Sequence, residues 1–336
     1  MSISSALHGA GSTLYSNLFV TLPLPAANPQ LADQTFIATG ANTGLGLESC
    51  RHLVKIGVGR LIMAVRSESK GKAAREELLS ETDVKTSIEV WPIDMEDYES
   101  IKMFASRASQ LSRIDGVLAN AGILTNTWST NQGNEKTLTV NIIGTFLLYL
   151  LLLPAMKESG RRTGNICRFT IPNSALHYLA PTAELEPKSQ TIMDRLNDPK
   201  QANMAGRYNL SKLLVIYAVR EFADRAARDG APSVIINTPN PSFCRSNLVN
   251  GAQRSTGFAI GERLFARSTE EGSRALVHGL LAGPESSGQY LTNCHVQRPS
   301  KEVTGTWGQK VQKRFFAELV EKLDAISPGG KEDVGL

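Results

Sequence analysis

From Gln34 onward, short apolar runs alternate with longer amphipathic ones, and this rhythm restricts the fold more than any other feature. "TFIATG", "RLIMAV", "SIEVWPI", "GVLANAG", "RFTI" and "SVIIN" are brief and closed by turn formers, which predicts strands. "LGLESCRHLVKIG", "ESKGKAAREELLSE", "DYESIKMFASRASQLS", residues 135–156 and "RYNLSKLLVIYAVREFADRAARDG" space their apolar positions as helices do. Strand–helix alternation predicts an α/β fold, a doubly wound parallel sheet with helices on both faces and right-handed crossovers. No repeat or low-complexity linker interrupts it, so one domain is expected over 34–295. An N-terminal arm, 1–33, precedes that domain. An extension, 296–336, follows and carries the amphipathic "QKRFFAELVEKLDAI". Segments 175–207 and 243–268 break the rhythm directly after strands. Ligands of open α/β sheets bind beyond the carboxyl ends of strands, so both segments are expected to wall a pocket.

Composition removes several classes. Among 336 residues, 36 basic and 32 acidic side chains leave a net charge of +4, spread along the chain, which argues against a nucleic-acid surface. Cys50, Cys167, Cys244 and Cys294 form no Cys-x-x-Cys pair and the histidines show no ligand spacing. Free thiols in a reducing, cytoplasmic setting are expected, with no metal. No run of about 18 apolar residues is seen, so no membrane span is expected. The stretch before Pro23 and Pro25 lacks a basic start, which favours a packed arm over a signal peptide.

"TFIATGANTGLGLE" joins the first strand to the first helix and spaces Gly40, Gly44 and Gly46 as Gly-x-x-x-Gly-x-Gly. With Asn42, Thr43 and Leu45 these glycines make a tight turn at a helix N-terminus, where a pyrophosphate is welcome. A carboxylate at the end of the second strand would grip the ribose 2′-hydroxyl of NAD. Here that end reads "LIMAVRSESKGK", with Arg66 and no carboxylate before it. A guanidinium suits a 2′-phosphate, so NADP(H) is the expected cofactor; Lys70 and Lys72 fit a solvated helix start.

"YNLSK" places Tyr208 and Lys212 four residues apart, on one helix face. A cation about 4–5 Å from a phenol, at an effective dielectric near 20, favours the phenolate by roughly 3–4 kcal/mol at most. That predicts a tyrosine brought toward acid–base work near neutrality. "CRFTIPNSALH" sets Ser174 after a strand broken by Pro172. The residues alone leave Ser174 either a site hydroxyl or a capping residue.

"TGANTGLG", "NAG" at Asn120 to Gly122 and "YNLSK" occur in the order and intervals of the short-chain dehydrogenase/reductase family, which the chain resembles over about Gln34 to Leu291. With the N-terminal arm, "WPIDM" and "RYNLSKLL", it looks like the longer fungal members of secondary-metabolite type. The resemblance implies a seven-stranded parallel sheet, usually in a dimer or tetramer. It makes Tyr208 the acid–base residue and Ser174 its partner. Lys212 would hold the nicotinamide ribose, and Asn141 a relay water. Asp94 and Met95 fall at the adenine, Asn120, Ala121 and Gly122 along the cofactor, and Pro241, Phe243 and Ser246 near the nicotinamide. Arg168 and His177 fit the register around Ser174. Pro172, Asn173, Pro239 and Ser242 depart from the pattern, Ser242 standing where glycine is usual.

The implied activity is hydride transfer between NADPH and a carbonyl or alcohol of a small apolar molecule. A cofactor-binding sensor and a dehydratase- or cyclase-like relative remain open alternatives. Leu124, Leu176, Tyr178, Met204 and Phe243 are candidate pocket residues.

Overall fold

The computed structural model describes residues 3–81, 85–186, 189–229, 234–245 and 262–329. Its strands are β1 (Thr35–Thr39), β2 (Arg60–Val65), β3 (Ser87–Pro92), β4 (Gly116–Leu118), β5 (Thr130–Asn131), β6 (Asn134–Glu135), β7 (Cys167–Thr170), β8 (Val234–Asn240), β9 (Tyr290–Thr292) and β10 (His295–Val296). β5 and β6 form a separate hairpin, and the other eight make one sheet in the order β10-β9-β8-β7-β4-β1-β2-β3. The strands from β9 to β3 run parallel, and β10 returns antiparallel to β9. Among the described residues the sheet therefore has eight strands, not the expected seven. Asn293 and Cys294 take φ of 53° and 62°, the doubly left-handed turn that folds a strand straight back on itself. Neither residue is the glycine that would have announced it.

The main helices are α1 (Ile3–Phe19), α2 (Gly44–Lys55), α3 (Glu68–Ser80), α4 (Tyr98–Ala108), α5 (Lys136–Thr163), α6 (Arg207–Ala226), α7 (Thr269–Leu281) and α8 (Thr306–Ile326). Strand periodicity of two divides the core. Phe36, Ala38, Leu61 and Met63 face the layer of α2, α3 and α7, whereas Ile37, Ile62 and Ala64 face that of α4, α5 and α6. Each fully buried Phe, Ile or Leu in these layers contributes about 1.5–3 kcal/mol of transfer free energy. Local signals set the helix starts. Asp97 accepts the Glu99 N–H at 3.0 Å before α4, and Ser268 accepts that of Glu271 at 3.0 Å before α7.

Helix α5 is more apolar than its interrupted sequence suggests. It is long and apolar enough to cross a membrane, with a mean hydropathy of 2.0 over its most apolar window, because Asn141 and Gly144 interrupt a run without lowering its average much. That window is 83% buried inside the fold, so α5 is packed as a core helix. All four cysteines are free and buried.

Candidate active site

The carboxyl ends of β1 and β4 meet where the strand order reverses, the usual position of a ligand crevice in an open α/β sheet. Gly40 leaves β1 with φ 62°, and Gly44 opens α2 with φ 58° and free space where a Cβ would stand. A Cβ on Gly46 would fall 2.4 Å from the Gly40 carbonyl and 2.5 Å from Asn120 Nδ2, so only glycine lets these turns touch. Asn42 and Leu45 are partly buried and Thr43 is exposed around them. No acidic residue occupies the first turn of α2, leaving its positive end unopposed. These features fit a pyrophosphate.

Asn120 donates to the Thr39 carbonyl at 3.1 Å and Ala121 N–H to Thr39 Oγ1 at 2.9 Å, tying the exit of β4 to that of β1. Gly122 lies against Asn141, whose Oδ1 a Cβ there would meet at 3.3 Å. At the other flank, Asp94 accepts the Glu96 N–H at 2.9 Å beside the buried Met95. Arg66 is 71% exposed and pairs with Glu96 at 3.2 Å. Burial pushes the Glu96 carboxyl up, but hydrogen bonds from Lys136 and Asn131, with the Lys136 and Arg66 charges, bring it net below its ordinary value.

Asn141 sits in a π-helical stretch, Thr139–Gly144, that widens the start of α5. Sequence spacing gave no sign of it. Such bulges are frequent at functional sites. Its carboxamide accepts the Ile123 N–H at 2.9 Å and donates to the Ile123 carbonyl at 3.0 Å and Ser211 Oγ at 3.1 Å, so this buried polar group is satisfied.

The strand ends early beside Pro172, as expected, although backbone bonds to β8 continue past it. The assigned strand stops at Thr170, yet Ile171 N–H reaches Asn237 O at 3.0 Å and Asn173 N–H reaches Pro239 O at 2.8 Å. The proline occupies the alternate position between them, where no bond to β8 is due, and its ring sacrifices no ladder hydrogen bond to that strand. Ser174 caps the turn that follows and faces Tyr208. Its Oγ caps the 3₁₀ turn Ala175–Leu179 by accepting the Leu176 N–H at 3.2 Å, and it stands within hydrogen-bonding reach of the Tyr208 phenol. His177 is buried, and burial lowers its pKa to about 4. Its Nε2 accepts from Ser300 N–H at 3.3 Å, so the neutral ring carries its proton on Nδ1 and donates to Ser174 O at 2.9 Å.

Lys212 shares the helix face of Tyr208, its Nζ 5.4 Å from the phenol ring centroid. That ammonium donates to the Pro172 carbonyl at 2.8 Å. Here the expectation of a lowered phenol fails. Burial raises the Tyr208 pKa, with only the Ser174 hydrogen bond opposing, and lowers that of Lys212 to about 8. A desolvated pocket penalises both charged forms, and the cation is engaged by a carbonyl rather than by the phenol oxygen. Pro241 is buried and Phe243 half-buried at the end of β8; Ser246 lies outside the described residues. Tyr178 is not a pocket residue, because it is buried and its hydroxyl donates to Arg298 O at 2.8 Å.

The sequence reading missed a buried ionic cluster next to Tyr208. Arg207, fully buried, donates from Nη2 to Glu184 Oε1 at 2.8 Å and to Leu196 O at 3.1 Å, and its Nε lies 3.5 Å from Glu135 Oε2. Glu135 also accepts the Thr137 and Leu138 N–H groups at the start of α5. The cluster thus joins the segment after β7, the helix of Tyr208 and the helix of Asn141. Its only trace in sequence is an arginine just before the tyrosine of "RYNLSK".

A glycine-lined phosphate cradle beside a Ser–Tyr–Lys group is the arrangement of a nicotinamide-dependent oxidoreductase. The short chain dehydrogenase family model matches residues 34–174. Short chain dehydrogenase/reductase dmxR8 of Cryptosporiopsis sp. (strain 8999) is 39% identical over 94% of this chain and 98% of its own. Short-chain dehydrogenase anuD of Penicillium roqueforti is 39% identical, covering 97% and 86%. Short chain dehydrogenase atnD of Emericella nidulans is 40% identical, covering 85% and 91%. Among solved structures, a short-chain type dehydrogenase/reductase from Mycobacterium ulcerans shares the fold with a TM-score of 0.56 at 19% identity, covering 86% of this chain and 99% of that one. A short-chain dehydrogenase from Sphingobium yanoikuyae in complex with NADPH gives 0.55 at 17%, covering 77% and 87%. The chain belongs to the short-chain dehydrogenase/reductase family and resembles its fungal members.

Proposed function

We propose that the protein is an NADPH-dependent carbonyl reductase, or the reverse alcohol dehydrogenase, acting on an apolar small molecule. One observation carries the reading: the Ser174 side chain within hydrogen-bonding reach of the Tyr208 phenol, with Lys212 one helical turn on. The dinucleotide supplies the hydride when bound. Tyr208 gives its proton to the carbonyl oxygen as the carbon is reduced, and Ser174 Oγ orients that oxygen. Lys212 holds the ribose hydroxyls and stabilises the phenolate left behind. Asn141 keeps the proton path aligned from the π-helical turn. Gly40, Gly44 and Gly46 admit the pyrophosphate, and the exposed guanidinium of Arg66 meets the 2′-phosphate.

The substrate lies against the segment after β7, where Leu179, Pro181, Ala183 and Glu186 help line an open groove. Leu176, 37% exposed, adds apolar surface nearby. That lining, with fungal relatives, favours a secondary-metabolite ketone. Four buried free thiols fit a cytoplasmic enzyme.

Tyr208→Phe tests the assignment. NADPH oxidation against a ketone panel is expected to fall by about 10³-fold or more while NADPH titration by fluorescence stays unchanged. Undiminished turnover removes Tyr208 from the chemistry. In the sensor reading the wild-type chain binds NADPH and oxidises none. In the dehydratase- or cyclase-like reading, the product mass changes by something other than two hydrogens.

A further inference from the structure

The turn that leaves β8 is built around a backbone conformation its residue seldom takes. Ser242 has φ 67°, in the left-handed region that favours glycine. Its N–H donates to Asn240 Oδ1 at 2.9 Å, closing a short side-chain-to-backbone ring. Its hydroxyl donates to Asn17 Oδ1 at 2.5 Å, on a helix 225 residues earlier. Asn17 Nδ2 in turn donates to Phe243 O at 2.7 Å and Phe265 O at 2.6 Å. One carboxamide therefore spends its acceptor and both donors on the segment that leaves β8 and on the one that leads into α7.

Helix α1 is itself anchored well enough to act as the fixed partner. Arg267, 4% exposed, donates to Ser16 O at 2.5 Å and Val20 O at 2.7 Å, and Asn293 Nδ2 donates to Ser16 Oγ at 2.9 Å. A Cβ on Gly9 would fall 2.7 Å from Tyr178 Cβ, so α1 lies flat on the turn that follows Ser174. Glycine at 242 would make the same bend without strain, but it has no hydroxyl to offer. Serine accepts the strain and gains a tie to the arm.

We propose that Asn17 is a positioning residue that locks the turn from Pro241 to Cys244, making the N-terminal helix part of the nicotinamide site. The lock stands on the bonds above; its effect on nucleotide affinity rests on the cofactor reading already given.

The test uses the full chain with Asn17→Ala, Ser242→Ala and the double variant. Two quantities are read: hydrogen exchange of the amides at 242–245, and NADPH affinity by fluorescence titration. Asn17→Ala is expected to speed exchange at those amides and weaken NADPH binding about tenfold. Ser242→Ala, which removes only the serine's tie and leaves the Arg267 and Asn293 anchors of α1 in place, should do the same to a smaller extent. The double variant should match Asn17→Ala, because the serine's tie is already gone. A residue that only stabilises α1 would lower the melting temperature and leave exchange and affinity of the folded protein unmoved. That result overturns the lock, as do losses that simply add in the double variant. If the wild-type chain binds neither NADPH nor NADH, the cofactor reading fails, and the exchange pattern alone decides the lock.

Discussion

Arg207→Met is the sharpest test of the buried charge cluster. The substitution keeps most of the side-chain volume and removes the guanidinium that faces Glu184 at 2.8 Å and Glu135 at 3.5 Å. Two carboxylates then remain in a region from which water is excluded. Removing one partner of a buried ion pair costs about 3–5 kcal/mol, and at roughly 2–4 °C per kcal/mol the melting temperature should fall by about 10 °C at pH 7.5. The pH dependence gives the signature. Burial already raises the Glu184 pKa, with Arg207 the largest influence lowering it. A carboxyl with a folded pKa above its unfolded value favours the fold at low pH, where it is protonated, and disfavours it as pH rises toward the folded value. Without Arg207 that penalty grows, so the gap between variant and wild type should narrow from pH 7.5 to pH 5. Adding Glu184→Gln should recover part of the loss at pH 7.5. Thermal unfolding followed by circular dichroism measures both effects. A gap that is constant or widens on acidification refutes the reasoning.

Two further outcomes follow from single groups. Arg66→Ala should weaken NADPH binding about tenfold or more and leave NADH within about twofold, because only the 2′-phosphate needs the guanidinium; equal losses for both nucleotides would return Arg66 to its partner Glu96 alone. His177 has a folded pKa of about 4 against an ordinary 6.5, so its contribution is complete above pH 6.5 and is lost as pH falls toward 4, by about 3 kcal/mol. His177→Gln should flatten that part of the stability–pH curve in urea titrations, and an unchanged slope would assign the acid sensitivity to other groups.

The parallel core was legible because its strands are buried on both faces and read as apolar runs, as in "RLIMAV". β9 and β10 were not, being three and two residues long with a turn that lacks glycine. Among the candidate site residues, Gly40, Gly44, Tyr208 and Lys212 stood out because their signal is spacing within one short stretch of sequence. Features that depend on long-range contact stayed hidden. The π-helical register at Asn141 leaves no compositional mark, and the burial of Arg207 is decided by Glu135 and Glu184 from two other segments. Lys212 was placed on the right helix face, but its hydrogen bond to the Pro172 carbonyl is fixed by how β7 ends. The proline that looked like damage to the strand is also the residue that receives the lysine.

Helix α8 has a consequence for how copies of this chain meet. It buries Phe315, Phe316 and Leu319, and Phe316 packs edge-on against Phe222 of α6 with ring centroids 4.7 Å apart. Gln312 clasps Glu221 of the same helix at 2.8 Å. The chain has thus supplied its own cover for that side of α6. Self-association there would first require peeling the C-terminus away, whereas Leu7, Leu14, Leu18 and Phe19 of α1 already stand in solvent.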